Sequence, residues 1–271
     1  MLNQFKNKNL SEITPSRLSK AFIRRVKDIP HRISWDLKSK VYVENKEKIL
    51  KFKDIHKGDR CFIIANGPSL KNMDLSLLKN EITIGMNRIH LMKDINGFVP
   101  TYVVVADIDI QLKQFTQEYN DVQLTRFYNW NARGLFNNVE NLMFFKESFQ
   151  PEFQSDFTKK IGTGKSVTYS CLQLAFYMGF KEVILIGKDH SYNISGTPHK
   201  SVESTGKEDN HFIKGYFKKG MKWDIPDYVG EEYSYRLAKR AYEEIGGQIL
   251  DATIGGKLLV FNKVNFSDLF F

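Results

Sequence analysis

The run Cys61-Phe62-Ile63-Ile64-Ala65, followed at once by Asn66-Gly67-Pro68-Ser69-Leu70, constrains this chain more than any other stretch. Five small or apolar residues in a row form a strand that is buried. Asn-Gly-Pro then stops it, because Pro68 has no N–H for a ladder and Gly67 tolerates positive φ. Leu70 to Leu78 has helical character, with Ser69 or Asp74 as its cap. Strand, glycine turn and helix open a nucleotide-binding α/β domain, where backbone N–H groups and a helix N-terminus meet a phosphate or a polar ring edge. The same order also describes an ordinary strand-to-helix turn. The dinucleotide fingerprint Gly-x-Gly-x-x-Gly is absent.

The rest of the chain continues the alternation. Strands are predicted over Glu81–Asn87, Thr101–Ala106, Leu124–Tyr128, Leu142–Phe145, Lys181–Gly187 and Gln248–Thr253, with Thr101–Ala106 central because it is rich in β-branched residues. Val167, Cys171, Leu174 and Met178 fall on one face of a helix that Gly179 closes, and Glu231–Ile245 is a second amphipathic helix. Phe115, Tyr119, Phe127, Tyr128 and Trp130 read as core. This is an α/β chain with a single Rossmann-like domain and a mainly parallel sheet. Asn66, Asn87 and Asp107 follow its first three strands, where an open α/β sheet forms its ligand crevice.

Three further motifs bear on chemistry. Asp107-Ile108-Asp109 spells D-x-D, whose oxygen ligands suit Mg²⁺ or Mn²⁺ on a diphosphate. Asp is also an ordinary residue after a strand, and a single Asp107 on a ribose or base is the preferred reading, with no metal site assigned. Gly162-Thr163-Gly164-Lys165-Ser166 precedes a helix, but the first glycine of a P-loop is replaced by Lys159 and no convincing strand leads in. What remains is a glycine loop whose Ser and Thr can bond a nucleotide or a sugar carboxylate. Residues 193–228 show little hydrophobic periodicity and are expected to form a lid.

Charge is unevenly placed. Residues 1–57 hold 15 Lys and Arg against 6 Asp and Glu, which accounts for the whole net charge of +9, and the other 214 residues balance. A basic helical arm over 1–57, broken at Pro30, therefore precedes a neutral catalytic domain over 58–271. The arm can lie on an anionic inner-membrane surface or pack as a solvated appendage. His31 and His56 are expected to face solvent. A nucleic-acid enzyme would carry its basic charge around its groove, so nucleic acid is not an expected partner. Two cysteines in apolar contexts, no apolar run of about 18 residues and a polar start to the chain point to a cytoplasmic protein, peripheral on the membrane face if the arm binds there.

Ile64-Ala65-Asn66-Gly67-Pro68-Ser69-Leu70, Gly164 to Thr168, Ile186-Gly187-Lys188-Asp189-His190-Ser191-Tyr192, Asp209-Asn210-His211-Phe212 and Asp251 to Leu258 together resemble the MptE-like 6-hydroxymethylpterin diphosphokinase superfamily. The resemblance runs from about Gly58 to Phe270 and extends to motility accessory factors and family 42 sialyltransferases. It implies a glycosyltransferase moving a sugar, such as a CMP-linked nonulosonate, to a bacterial surface glycan or lipid-linked glycan. It assigns the nucleotide to Asn66, Gly67, Ser69, Asn87, Asp107, Thr163, Gly164, Ser166 and Tyr192, with no required cofactor. The sialyltransferase base lies in a His-Tyr-Ile-Gly-His run; His211-Phe212-Ile213-Lys214-Gly215-Tyr216 keeps the first His and not the second. His211 is the first choice of general base and His190 the second, with Asp189 behind them. The alternatives are an ATP-dependent pterin diphosphokinase and a non-catalytic nucleotide-sugar-binding protein.

Overall fold

The computed structural model describes residues 15–137, 139–192, 196–207 and 209–270. The first 14 residues of the basic arm, and 193–195 and 208 of the expected lid, lie outside the described residues. The chain forms two compact units, Met1–Lys46 and Glu47–Phe271. The division falls ahead of Gly58, where the charge pattern placed it.

Helix α1 (Pro15–Asp36) runs through Pro30 without breaking, and α2 (Lys40–Leu50) follows. A proline inside a helix loses one hydrogen bond and costs about 3 kcal/mol. The helix survives because its end is tied down: Trp35 packs edge-to-face on Tyr42 of α2, with centroids 4.8 Å apart.

The second unit contains β1 (Arg60–Ile64), β2 (Ile82–Met86), α3 (Met92–Asn96), β3 (Tyr102–Val105), α4 (Thr116–Asp121), β4 (Thr125–Asn129), β5 (Leu142–Glu147), β6 (Lys160–Ile161), α5 (Val167–Met178), β7 (Glu182–Ile186), β8 (Ser201–Glu203), β9 (Lys222–Asp224), α6 (Tyr228–Glu244), β10 (Gln248–Asp251) and β11 (Asn262–Lys263). Nine strands form one sheet in the order β11-β10-β7-β1-β2-β3-β4-β5-β6, every neighbour parallel. This is the Rossmann-like α/β domain expected, with β2 rather than β3 at its centre. Strands β8 and β9 form a separate antiparallel pair inside the long segment after β7.

Register and pleat set the two faces. Ile63 lies beside Ile84 and Leu185, so alternate residues of β1, β2 and β7 share a side. Cys61, Ile63, Ile84, Met86, Val104, Val183 and Leu185 pack there with Tyr169, Leu172, Tyr235 and Tyr242 from α5 and α6. Phe62 points the other way, against Phe266 and Phe270 at 6.3 and 5.7 Å. Helix α5 is buried almost all round, not on one stripe. Its Gln173 is wholly buried and fully bonded: Nε2 donates to the carbonyls of Gly162 and Tyr169, and Oε1 accepts from the N–H groups of Gln154 and Gly162.

Three local readings change. Residues 68–78 form two short 3-10 turns, Pro68–Asn72 and Leu75–Leu78, rather than an α-helix, and only Asp74 caps, accepting from Ser76 N at 3.0 Å. A short strand, β6, does lead into the glycine loop, paired with β5. His56 is not on the solvent: it stacks on Phe180 at 4.8 Å and bonds the Tyr102 hydroxyl at 2.8 Å, and burial lowers its pKa.

Candidate functional site

Strands are added outward from β1 through β2 to β6; α5 then carries the chain back, and β7, β10 and β11 are added on the other side. Loops leaving β1 and β7 diverge at this reversal, which opens a crevice at their carboxyl ends. A cavity of about 280 Å³ occupies the crevice. Its floor is Ala65 to Gly67 after β1, Met86 and Asn87 at β2, Asp107 after β3 and Gly187 to Tyr192 after β7. Lys165 to Thr168 at the start of α5 and Glu231 in the first turn of α6 close its sides.

Backbone strain gathers here. Six described non-glycine residues have positive φ, and four of them, Asn87, Lys165, His190 and His199, line the cavity. Such residues cost of order 1–3 kcal/mol each and persist only where the surroundings hold them, most often at functional sites.

Two buried carbonyl oxygens wait for a donor. Asn66 Nδ2 donates to the Met86 carbonyl at 2.9 Å, which fixes the amide so that Oδ1 faces elsewhere, and that Oδ1 is buried without a partner. Asn87 Oδ1 is in the same condition. A buried acceptor left unpaired costs about 1–3 kcal/mol, which a ligand donor would recover.

The turn after β1 works differently from the expectation. Gly67 has φ of −70°, so it is not there for a left-handed conformation. It is there for space: a Cβ would lie 1.8 Å from Asp189 Oδ2 and 2.5 Å from the Gly187 carbonyl. Asp189 folds back from β7 and accepts from Ser69 N at 3.1 Å and from Ser69 Oγ at 2.7 Å. The protein's own carboxylate thus takes the N–H and hydroxyl that were expected to meet a ligand.

Two helix N-termini and charged groups of both signs also line the cavity. Ser166 caps α5, and Asp227 caps α6 by accepting from Gly230 N at 3.0 Å. The His199 hydrogen bond holds the Asp227 carboxyl down at about 2, against the opposing effect of burial. Lys188 and Glu231 form a buried ion pair at 2.7 Å, and Glu231 Oε2 also lies 3.6 Å from His190 Nδ1. The Asp107 carboxyl lies at the exposed rim, where it accepts from Ile110 N, and partial desolvation with Asp109 and Asp224 nearby raises its pKa above the ordinary 3.8. Of the D-x-D pair only Asp107 lines the cavity; Asp109 is exposed and paired with Lys113 at 2.7 Å. The two carboxylates do not converge as metal ligands. Among the described residues no group of three or more His, Cys, Asp or Glu is placed to hold a metal ion.

The segment after β7 covers the cavity with His211, Phe217 and Trp223. His211 stacks on Tyr216, with centroids 3.9 Å apart and planes 3° from parallel, and Tyr192 stacks on Trp223 at 5.7 Å. Two anchors hold this cover. Phe212 N donates to the Asn66 carbonyl at 3.0 Å. Arg88 donates from its guanidinium to the Tyr216 carbonyl and from its backbone N–H to the Tyr216 hydroxyl, while it pairs with Glu118 and lies 4.0 Å over the Phe115 ring.

Among the predicted residues, Asn66, Gly67, Asn87, Asp107, Ser166, Tyr192, Asp189, His190 and His211 line one cavity; Ser69, Thr163 and Gly164 do not. Gly164 instead makes room for Tyr169, whose ring carbon would sit 2.4 Å from a Cβ. Sequence reading missed Lys165, Lys188, His199, Asp224 and Asp227 as lining residues. Lys188 stands beside Asp189, which was already suspected, but nothing local shows that Lys188 after β7 would pair with Glu231 of α6.

The family model described as 6-hydroxymethylpterin diphosphokinase MptE-like matches residues 39–195. The chain belongs to this MptE-like family. That match takes in the carboxyl ends of β1, β2, β3 and β7 but stops before His211 and α6. No curated protein matches this MptE-like chain. Among solved structures, the MAf glycosyltransferase from Magnetospirillum magneticum AMB-1 is similar at 14% identity with a TM-score of 0.49, over 82% of this chain and 38% of that one. The MptE-like chain therefore spans well under half the length of that protein.

Proposed function

We propose that this protein is a glycosyltransferase that moves a sugar from a nucleotide donor, a CMP-linked nonulosonate by resemblance, to a surface glycan or lipid-linked glycan acceptor. The observation that carries the reading is one cavity at the strand ends lined both by Asn66 and Asn87, whose buried amide oxygens have no partner, and by the N-terminal turn of α5 with Lys165. Acceptors at one end suit a base amine or a ribose hydroxyl. The N-terminus of α5 with Lys165 at the other suits a phosphate. The nucleotide thus spans from the ends of β1 and β2 to α5, and the sugar lies under His211 and Trp223.

In this arrangement His211 takes the proton of the acceptor hydroxyl as the hydroxyl oxygen attacks the sugar carbon. The bond to the nucleotide phosphate breaks, and Lys165 and the α5 N-terminus stabilise the charge left on the phosphate. The stacked Tyr216 ring fixes the imidazole plane, and the covering segment excludes the water that would otherwise compete for the sugar. His190 is the second candidate, held between Glu231 and Glu232.

The family description itself favours a second reading, an ATP-dependent diphosphokinase. Thermal shift with CMP, UDP, GDP and ATP, with and without Mg²⁺, separates the two, since a ligand that binds only the folded state raises its melting temperature. Stabilisation by CMP without metal, weakened in Asn66→Ala and Asn87→Ala by about 0.5–1.5 kcal/mol of binding each, supports the transferase. Stabilisation by ATP with Mg²⁺ alone, or unchanged nucleotide affinity in both variants, overturns it. Binding without transfer or donor hydrolysis would leave a nucleotide-binding module.

A further inference from the structure

Helix α1 is inside out. Its Phe22, Val26, Ile29 and Ile33, spaced four, three and four apart, form one stripe, and all are open to solvent; Phe22 is 67% and Ile33 52% exposed. The opposite face carries Asp28, which is 5% exposed, half-buried His31, and buried Trp35. Helices of water-soluble domains turn the other way, with the apolar stripe inward. Leu37, just past the helix end, extends the stripe and is exposed too.

Charge selects what covers this stripe. Exposed Arg25 and Arg32 run along one flank with exposed Asp36 at its end, exposed Lys27 lies farther round the helix, and Lys38 and Lys40 follow past its end, also exposed. Residues 1–57 carry the entire +9 of the chain. A second copy docking through the same stripe would set these cationic rows against each other. An apolar stripe with a basic flank and a predominantly basic remainder suits the plane where lipid tails meet anionic headgroups. Among the described residues no helix is long and apolar enough to cross a membrane, so α1 would lie on the surface.

We propose that α1 is a bilayer-docking helix, which inserts Phe22, Val26, Ile29 and Ile33 among the acyl chains of an anionic membrane while its Arg and Lys residues meet the headgroups. The proposal does not depend on what the second unit catalyses.

The test is co-sedimentation of the full chain with vesicles of phosphatidylcholine alone and of phosphatidylcholine mixed with phosphatidylglycerol. Binding is expected to the mixed vesicles, at least about tenfold tighter than to the neutral ones, and to weaken as salt shortens the Debye length from about 10 Å at 0.1 M to 3 Å at 1 M. Ile29→Asp with Ile33→Asp should abolish it, and Lys27→Glu with Arg32→Glu should remove the preference for anionic lipid. All four positions are exposed, so circular dichroism and nucleotide thermal shifts should match the parent. Equal binding to both vesicle types, or binding unchanged in the Asp variant, overturns the proposal. So does a dimer in ultracentrifugation that the Asp variant dissolves without any vesicle binding, which would assign the stripe to a second copy.

Discussion

Glu231→Gln offers a direct measure of how the candidate site is held together. Lys188 leaves β7 and Glu231 lies in the first turn of α6, with Nζ and Oε2 at 2.7 Å and side chains 12% and 6% exposed. The Tyr235 hydroxyl donates to the same Oε2 at 3.3 Å. Burial alone would push the Glu231 carboxyl up, but Lys188 and His190 more than offset it and leave it below its ordinary value. Burial would lower Lys188, and Glu231 more than offsets that in turn, so Lys188 ends above its ordinary value. Both groups are charged at neutral pH. Replacing the carboxylate by an amide strands a buried ammonium, a loss of about 3–5 kcal/mol. Replacing both, as Lys188→Met with Glu231→Leu, removes the charges together and should cost far less, because the desolvation penalty disappears with them. Urea unfolding of the parent, both single variants and the double variant closes the cycle, with an expected coupling of about 2–3 kcal/mol. The pH dependence has a definite sign. The Glu231 contribution is complete above 4.5, its ordinary value, and is lost as pH falls through the lower folded value, so the parent should weaken in acid more than Glu231→Gln does. A single-variant cost below about 1 kcal/mol, the range of exposed pairs, would show that solvent screens this pair and that the reasoning fails.

Three further outcomes follow from the same geometry. Gly67→Ala should destabilise the protein by about 1–3 kcal/mol in urea melts, since the new Cβ displaces Asp189 from Ser69; an unchanged midpoint would refute the close approach. Asp107→Asn should raise stability at neutral pH only slightly: the folded carboxyl lies above its ordinary 3.8, so the parent loses some stability as pH rises from there and the variant does not, an effect kept small by the exposure of the side chain, which thermal melts from pH 4 to 7 would read. A slope that persists in the variant would place the titration elsewhere. His211→Ala should lower turnover by about 10²–10⁴-fold with donor affinity near the parent's, measured by product formation and calorimetry; full activity would remove His211 from the mechanism.

Much of the fold could be read from local pattern because parallel strands buried on both faces announce themselves as short apolar runs, as Cys61–Ala65 and Val183–Ile186 do. The order of those strands could not, because nothing within a strand tells it which neighbour it will have. Two-residue β6 is too short to leave a pattern, and residues 68–78 read as helical because 3-10 and α turns are hard to tell apart over so few residues, as the three-residue interval from Leu75 to Leu78 shows. Pro30 misled for a different reason: its penalty is real, but a helix of 22 residues with its end packed outlasts it. Of the site, the strand-end residues were legible since the crevice of an α/β sheet is a rule of topology. Lys188 with Glu231, Asp227 with His199 and Arg88 with Tyr216 join residues 28 to 128 positions apart, and only the folded chain brings them together.

That difference decides where an anion can bind. From the sequence, the Asn-Gly-Pro-Ser turn looks like the phosphate cradle, since it follows β1 and begins a helical segment. In the folded chain Asp189 already occupies that position, and a second negative charge brought to Ser69 would meet its carboxylate. The turn is also too short to act as a helix terminus: Pro68–Asn72 is a single 3-10 turn, whose few aligned dipoles sum to little. The start of the twelve-residue α5 reaches the cavity with the full charge of Lys165 beside it, whereas the carboxylates of Asp227 and Glu231 already stand at the start of α6. In the proposed reading the β1 turn holds the polar end of the ligand through Asn66, and the charged end goes to Lys165 and the start of α5. A molecule that satisfies both must carry hydrogen-bond donors at one end and an anionic group at the other, as a nucleoside phosphate does.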